Sequence, residues 1–154
     1  MDEDIRTDDP RLKSLTLRAN AAEEDVEAAK LYCRIMHLET VAANLIVQSL
    51  KHKEEAESIT VRGQYFYNKM KAQEGQLGKQ KGPKDVLAAE VMRNREKAMR
   101  LSGQAAAHEK KTSDAERRAQ TALSEAQKLR TERDRLLLGA RKLEAEAIRI
   151  ERLI

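Results

Sequence analysis

The chain is 154 residues long, with 36% charged residues, 3% aromatic residues and no tryptophan, a composition that excludes a deep globular core. Two prolines and six glycines leave little room for β turns, and abundant Ala, Glu, Lys, Leu and Arg point to long helices. A net charge of +4 is mild for a nucleic-acid binder, one cysteine excludes an internal disulfide framework, and no apolar run approaches the roughly 18 residues a membrane span needs.

Residues 1–9 are acidic and aperiodic, and a flexible segment is expected there. Met1-Asp2-Glu3-Asp4 has the wrong sign for a signal or transit peptide, so a cytoplasmic location is the default expectation. Asp9-Pro10 reads as a helix start, with Asp9 as N-cap and Pro10 in the first turn. A first long helix is expected over 10–75. Steps of three and four pick out Leu12, Leu15, Ala19, Ala22, Val26, Ala29, Cys33, Met36, Thr40, Ala43, Val47 and Leu50 as its seam.

After Lys51-His52-Lys53-Glu54-Glu55 an apolar stripe resumes two positions out of step, through Ala56, Ile59, Phe66 and Met70. No proline or paired glycine sits there, so the sequence predicts one continuous helix with a local change in coiling. A second stripe runs beside the first, formed by Leu31, Ile35, Leu38, Ala42 and Leu45 with Val41 and Ile46 nearby. A two-helix seam has no use for so wide an apolar face. Leu31, Ile35, Leu38, Val41, Leu45 and Ile46 are therefore expected to form a flank for dimerisation or for a docked partner helix, with Leu123, Leu137 and Leu138 available to contribute.

Residues 76–83 are expected to form a hairpin turn, because three glycines and Pro83 cluster over Gly75–Pro83. A second long helix follows over 84–154. Its seam runs from Leu87 through Val91, Asn94, Ala98, Leu101, Ala105, His108 and Thr112, and on through Ala115, Ala119, Ala122, Ala126, Leu129, Arg133, Leu136, Ala140, Leu143, Ala147 and Ile150 to Ile154. Alanine holds most of one edge of this stripe and leucine much of the other, which calls for a close partner that brings bulk where this helix brings methyl groups.

A short connection between long helices makes them antiparallel neighbours. The fold class expected is all-α: a long antiparallel coiled-coil hairpin, a single elongated domain, that dimerises or docks into a larger bundle. With the turn centred near Lys79, facing residue numbers add to about 158. This rule sets Cys33 and Met36 against Ala126 and Ala122, and Ala22 and Ala29 against Leu136 and Leu129. It also sets Phe66 and Met70 against Met92 and Ala88, Arg133 near Asp25, and Asn94 near Gln64.

The tip carries the best candidate for binding. Arg62, Lys69, Lys71, Lys79, Lys81 and Lys84 surround Tyr65-Phe66-Tyr67, with Glu74 the only acidic residue among them. Arg62, Tyr65, Tyr67, Lys69, Lys71, Lys79, Lys81 and Lys84 suit an acidic protein partner, a nucleic-acid backbone or an anionic membrane surface; seam packing of Phe66 and solvation of the lysines is the plainer reading.

Cys33 and His37 share a helical face at a metal-ligand spacing, but two ligands do not make a site. His52 and His108 are expected to approach across the hairpin as a polar layer, loosened when acid charges both rings. No metal, cofactor or small-molecule substrate is expected. No phosphate-binding glycine loop or His-Glu-x-x-His motif is present, so catalytic residues are expected to be absent and the protein to be non-enzymatic. The leading expectation is a structural or adaptor subunit that holds protein partners or a second copy of itself. A nucleic-acid or anionic-membrane binder acting through residues 62–84 is the alternative, and a self-assembling scaffold is a further one.

Overall fold

The computed structural model describes residues 9–154; apart from Asp9, the acidic N-terminal segment lies outside the described residues. Two helices account for nearly all of them, α1 over Pro10–Lys79 and α2 over Asp85–Arg152, with no strand among the described residues. They pack against one another as an all-α helical hairpin. No described helix is long and apolar enough to cross a membrane.

Asp9 caps α1 as its position predicts. Its side chain accepts from the Arg11 amide at 3.0 Å, and its carbonyl accepts from the Lys13 amide at 2.9 Å. At the other end α1 does not stop at Gly75 or Gly78; both are helical, and neither has positive φ. Leu77, half-buried, gives these last turns an apolar anchor. The connection is therefore 80–84, later than the expected turn, and the Gln80 side-chain Nε2 donates to the Pro83 carbonyl across it at 3.0 Å. Pro83 lies before the helix. Asp85 opens α2, where an acidic side chain suits the helix dipole.

Contacts divide the chain into two units. In the first, α1 as far as Ala42 packs on Gln120–Ile154. Its core is Ala21, Ala28, Ile35 and Ala42 of α1 with Ala122, Ala126, Ala140, Ala147 and Ile150 of α2. The second unit, Ala43–Ala119, contains the connection. It buries Leu45, Ala56 and Met70 with Val91, Leu101, Ala105, Ala115 and Ala119, together with Ser49 and Asn94.

The α2 seam is as predicted. Every position from Leu87 to Ile150 is buried or half-buried, and only Ile154, past the end of the helix, is exposed. The α1 seam is not. Its buried edge falls on Ser14, Ala21, Ala28, Ile35, Ala42, Ser49 and Ala56, then Gly63, Met70 and Leu77, an unbroken seven-residue repeat. Beside it run Leu17, Glu24, Leu31, Leu38, Leu45, His52, Ile59, Phe66 and Gln73, none of them exposed. The apparent shift at Lys51–Glu55 disappears, because Ala56 and Ile59 continue the repeat that passes through Ser49 and His52.

Most of the flank expected to be free is thus inside the hairpin. Ile35 is 2% exposed and Leu45 is buried, Leu31, Leu38 and Val41 are half-buried, and Ile46 alone stays on the surface. Cys33 and Met36, expected against Ala126 and Ala122, are exposed instead.

The register moves with the turn. A Cβ at Gly63 would lie 3.4 Å from Leu101 Cβ, where a turn centred at Lys79 would have set Gly63 against Arg95. The displacement is about six residues, somewhat under two helical turns. It re-pairs the polar groups. Asn94 Nδ2 donates to Gln73 Oε1 at 2.6 Å, while Gln64 donates to Asn68 within α1. Asp25 is 3.7 Å from Arg141, and Arg133 instead lies 3.2 Å from Asp134 with its guanidinium over the Tyr32 ring. Phe66 receives Lys97 over its ring at 5.1 Å, and Met92, expected opposite it, is exposed.

Candidate interaction surface

The stripe read from sequence as the α1 seam is the outer face of the helix. All of its positions, Leu12 to Thr40 in the first unit and Ala43, Val47 and Leu50 in the second, are exposed. Leu15 is 64% exposed, Val26 54% and Met36 48%. α1 therefore carries two heptad stripes at different angles about its axis, one occupied by α2 and the other open to solvent. A solvated helix face has no need for aliphatic residues at alternating steps of three and four.

At the tip, Arg62, Tyr65, Tyr67, Lys69, Lys71, Lys79, Lys81 and Lys84 are all exposed. The rings are organised. Tyr65 meets Phe66 edge-on with centroids 5.2 Å apart, and Lys71 Nζ lies 5.6 Å from the centre of the Tyr67 ring. Glu74, the acidic residue there, is engaged by Arg95 at 3.1 Å and by Lys71 at 3.6 Å. Phe66 is half-buried, so the aromatic triplet splits between seam and surface.

In the first unit, Ser14 Oγ donates to Glu151 Oε1 at 2.5 Å, and Arg18 grips both carboxylate oxygens at 2.7 and 2.8 Å. The Arg18 hydrogen bond, then that of Ser14, holds the Glu151 carboxyl down to about 2 from its ordinary 4.5. Arg130 pairs with Glu39, and Arg34 lies 3.4 Å from Glu125. These pairs line the edges of the alanine-rich seam and fix its register.

The two histidines meet in the second unit, as the sequence suggests. His52 Nδ1 and His108 Nδ1 are 3.1 Å apart, their ring centroids 5.4 Å apart at a 35° tilt. Glu55, one turn along from His52 and not singled out by spacing, brings Oε2 to 3.2 Å from the same His108 Nδ1. Thr112 donates to the His108 carbonyl at 3.0 Å and reaches the Ser49 carbonyl at 3.4 Å, completing a polar layer. Cys33 and His37 are both exposed and belong to no three-ligand group among the described residues. The i, i+3 step from His52 to Glu55, read together with His108, is the signal that could have identified the third member of the cluster.

An open groove of ≈ 490 Å³ beside the seam is lined by Thr60, Gly63, Tyr67, Ala98, Met99 and Ala105, among others. The small side chains that let the helices approach closely also leave this depression between them. No known protein family, curated protein or solved structure matches the chain.

Proposed function

We propose that this protein is a non-enzymatic structural subunit that pairs with a second copy of itself through the outer stripe of α1 and presents its basic tip to a further partner. The observation that carries the reading is the exposure of every position of that stripe from Leu12 to Leu50. Burying a large aliphatic side chain contributes roughly 1.5–3 kcal/mol, so a few of these residues suffice to drive association.

The sizes along the stripe favour a second copy as the occupant. Read from either end, it gives two large aliphatics (Leu12 and Leu15, or Leu50 and Val47). Two smaller residues follow (Ala19 and Ala22, or Ala43 and Thr40), then a large one (Val26 or Met36) and a small one (Ala29 or Cys33). A two-fold interface uses the same patch on both partners, and antiparallel pairing about the middle of the stripe sets Leu12 against Leu50, Leu15 against Val47 and Val26 against Met36, so that large aliphatic layers alternate with layers of small residues. Two hairpins joined this way form a four-helix arrangement.

Sedimentation equilibrium of the full chain across a wide concentration range tests this reading. A mass of two chains is expected, falling to one when Leu15→Asp and Met36→Asp are combined, with helicity retained. A single-chain mass at every concentration contradicts it.

The tip supports a second reading. Lys79, Lys81 and Lys84 are exposed and take no part in the ion pairs found among the described residues, beside the exposed Tyr65 and Tyr67 rings. A nucleic-acid strand or anionic membrane surface bound there is released steeply as salt rises, whereas binding of a protein through the rings is less sensitive. Salt-indifferent binding that survives neutralisation of the three lysines argues against the anionic ligand.

A further inference from the structure

We propose that His52, His108 and Glu55 form a binding site for a divalent transition metal ion, best suited to zinc, that staples α1 to α2 within the second unit. His52 and Glu55 lie one turn apart on α1, and His108 comes from α2. One donor atom from each lies within 4.8 Å of the other two.

The hydrogen-bonding arithmetic at this point does not close without a cation. His108 Nδ1 faces His52 Nδ1 at 3.1 Å and Glu55 Oε2 at 3.2 Å. A neutral imidazole nitrogen carries one proton or one lone pair, and an ionised carboxylate only accepts. If His108 Nδ1 holds a proton, that proton cannot be directed at both neighbours. If His52 donates instead, the His108 lone pair is turned toward a carboxylate. In each tautomer one short contact lacks a well-placed proton, whereas a cation at the centre accepts electron density from all three atoms.

Two of the three donor separations match coordination, and the third, between His52 and Glu55, is within 4.8 Å. With bonds of about 2.0–2.2 Å, donors at angles of about 90–110° lie about 2.8–3.6 Å apart. The two short separations, 3.1 and 3.2 Å, fall inside that range. Two imidazoles and a carboxylate select zinc, nickel, cobalt or copper over magnesium and calcium, which favour all-oxygen shells.

The surroundings fit a site open on one side. The His108 side chain is 22% exposed and that of Glu55 59% exposed, which gives an ion access and leaves a fourth position for water. Ala56 and Ala105, both buried on the seam, stand one turn from His52 and His108 along their helices.

Titration calorimetry of the full chain with zinc chloride tests the proposal, with the absorption spectrum of the cobalt form as a second readout. One ion per chain is expected, a cobalt spectrum of four-coordinate character, and a melting temperature that rises with zinc. His52→Ala and His108→Ala are each expected to weaken binding by at least the 10–100-fold typical of losing an outer-shell partner. Because Glu55 is exposed, Glu55→Gln leaves the fold intact and is expected to weaken zinc by about tenfold. The proposal is overturned if the native chain takes up no stoichiometric zinc. It is equally overturned if zinc binds unchanged after both histidines are replaced, which would place the ion elsewhere on the chain.

Discussion

The two helices use the same heptad vocabulary to different ends. α2 carries one apolar stripe, and the hairpin consumes it from Leu87 to Ile150. α1 carries two, and the hairpin consumes the less conspicuous one. The buried stripe of α1 is built largely from Ser, Ala and Gly with Ile35 as its one large fully buried side chain, while Leu15, Val26, Met36, Val47 and Leu50 stay outside. Close approach explains the choice. The leucines of α2 need small residues opposite them, and the Gly63–Leu101 separation shows how little space remains. What the difference teaches is that a helix with two heptad stripes is made for two neighbours, and that the inner neighbour takes the edge that fits rather than the greasier one.

Ile35 and Met36 offer the sharpest way to break this comparison, since they are adjacent in sequence and lie on opposite stripes. At concentrations low enough for single chains, Ile35→Ala is expected to cost about 2–4 kcal/mol in chemical denaturation. Met36→Ala is expected to change stability by no more than about 0.5 kcal/mol. Equal costs would mean that the inner and outer faces of α1 are wrongly assigned.

A smaller effect is expected where Ser14 and Arg18 of α1 hold Glu151 of α2. The Glu151 carboxyl titrates lower in the folded chain than in the unfolded one, so its stabilisation is complete above the ordinary carboxylate range and is lost as pH falls toward about 2. Amide protection factors in the last turns of α2, which correct for the intrinsic slowing of exchange in acid, should therefore fall between about pH 5 and pH 2, and Glu151→Gln should remove that dependence. An unaltered acid response in the variant would place the titrating group elsewhere.

The smallest effects separate seam from surface by glycine. A Cβ at Gly103 meets nothing within 4 Å, so Gly103→Ala is expected to stabilise the chain by about 0.5–1 kcal/mol through helix propensity alone. At Gly63 the same gain is set against a Cβ 3.4 Å from Leu101 Cβ, and Gly63→Ala is expected to stabilise less. Paired urea melts measure the difference. A larger gain at Gly63 would mean a looser seam than the structure shows.

Much of this architecture is legible in the sequence: two helices, their antiparallel packing, the Asp9 cap, the α2 seam and the meeting of His52 with His108. The α1 face was misread because Ser14, Glu24, Ser49 and His52 make the true seam look interrupted, whereas the outer stripe runs without a slip. The misstep at Lys51–Glu55 was the available warning. One stripe, through Ile35, Ala42, Ser49 and Ala56, needs no shift in coiling, whereas the outer one does. The register error follows from glycine. Gly75 and Gly78 read as helix breakers, yet Leu77 keeps that turn anchored, and each residue added to α1 moves every pairing. Glu55 is the member of the cluster that the sequence shows only faintly, because its i, i+3 step from His52 stands out from a charged surface only when read together with His108.

The assignment of α1's inner face is tested most directly by a disulfide. With Cys33→Ser removing the native thiol, Gly63→Cys and Leu101→Cys place two thiol-bearing Cβ atoms 3.4 Å apart, close to the Cβ–Cβ spacing of a disulfide. Rapid, quantitative oxidation within one chain is the predicted result, with no such bond from Gly63→Cys paired with Arg95→Cys. Efficient closure of the Arg95 pair and failure of the Leu101 pair would restore the turn-centred register and contradict the account.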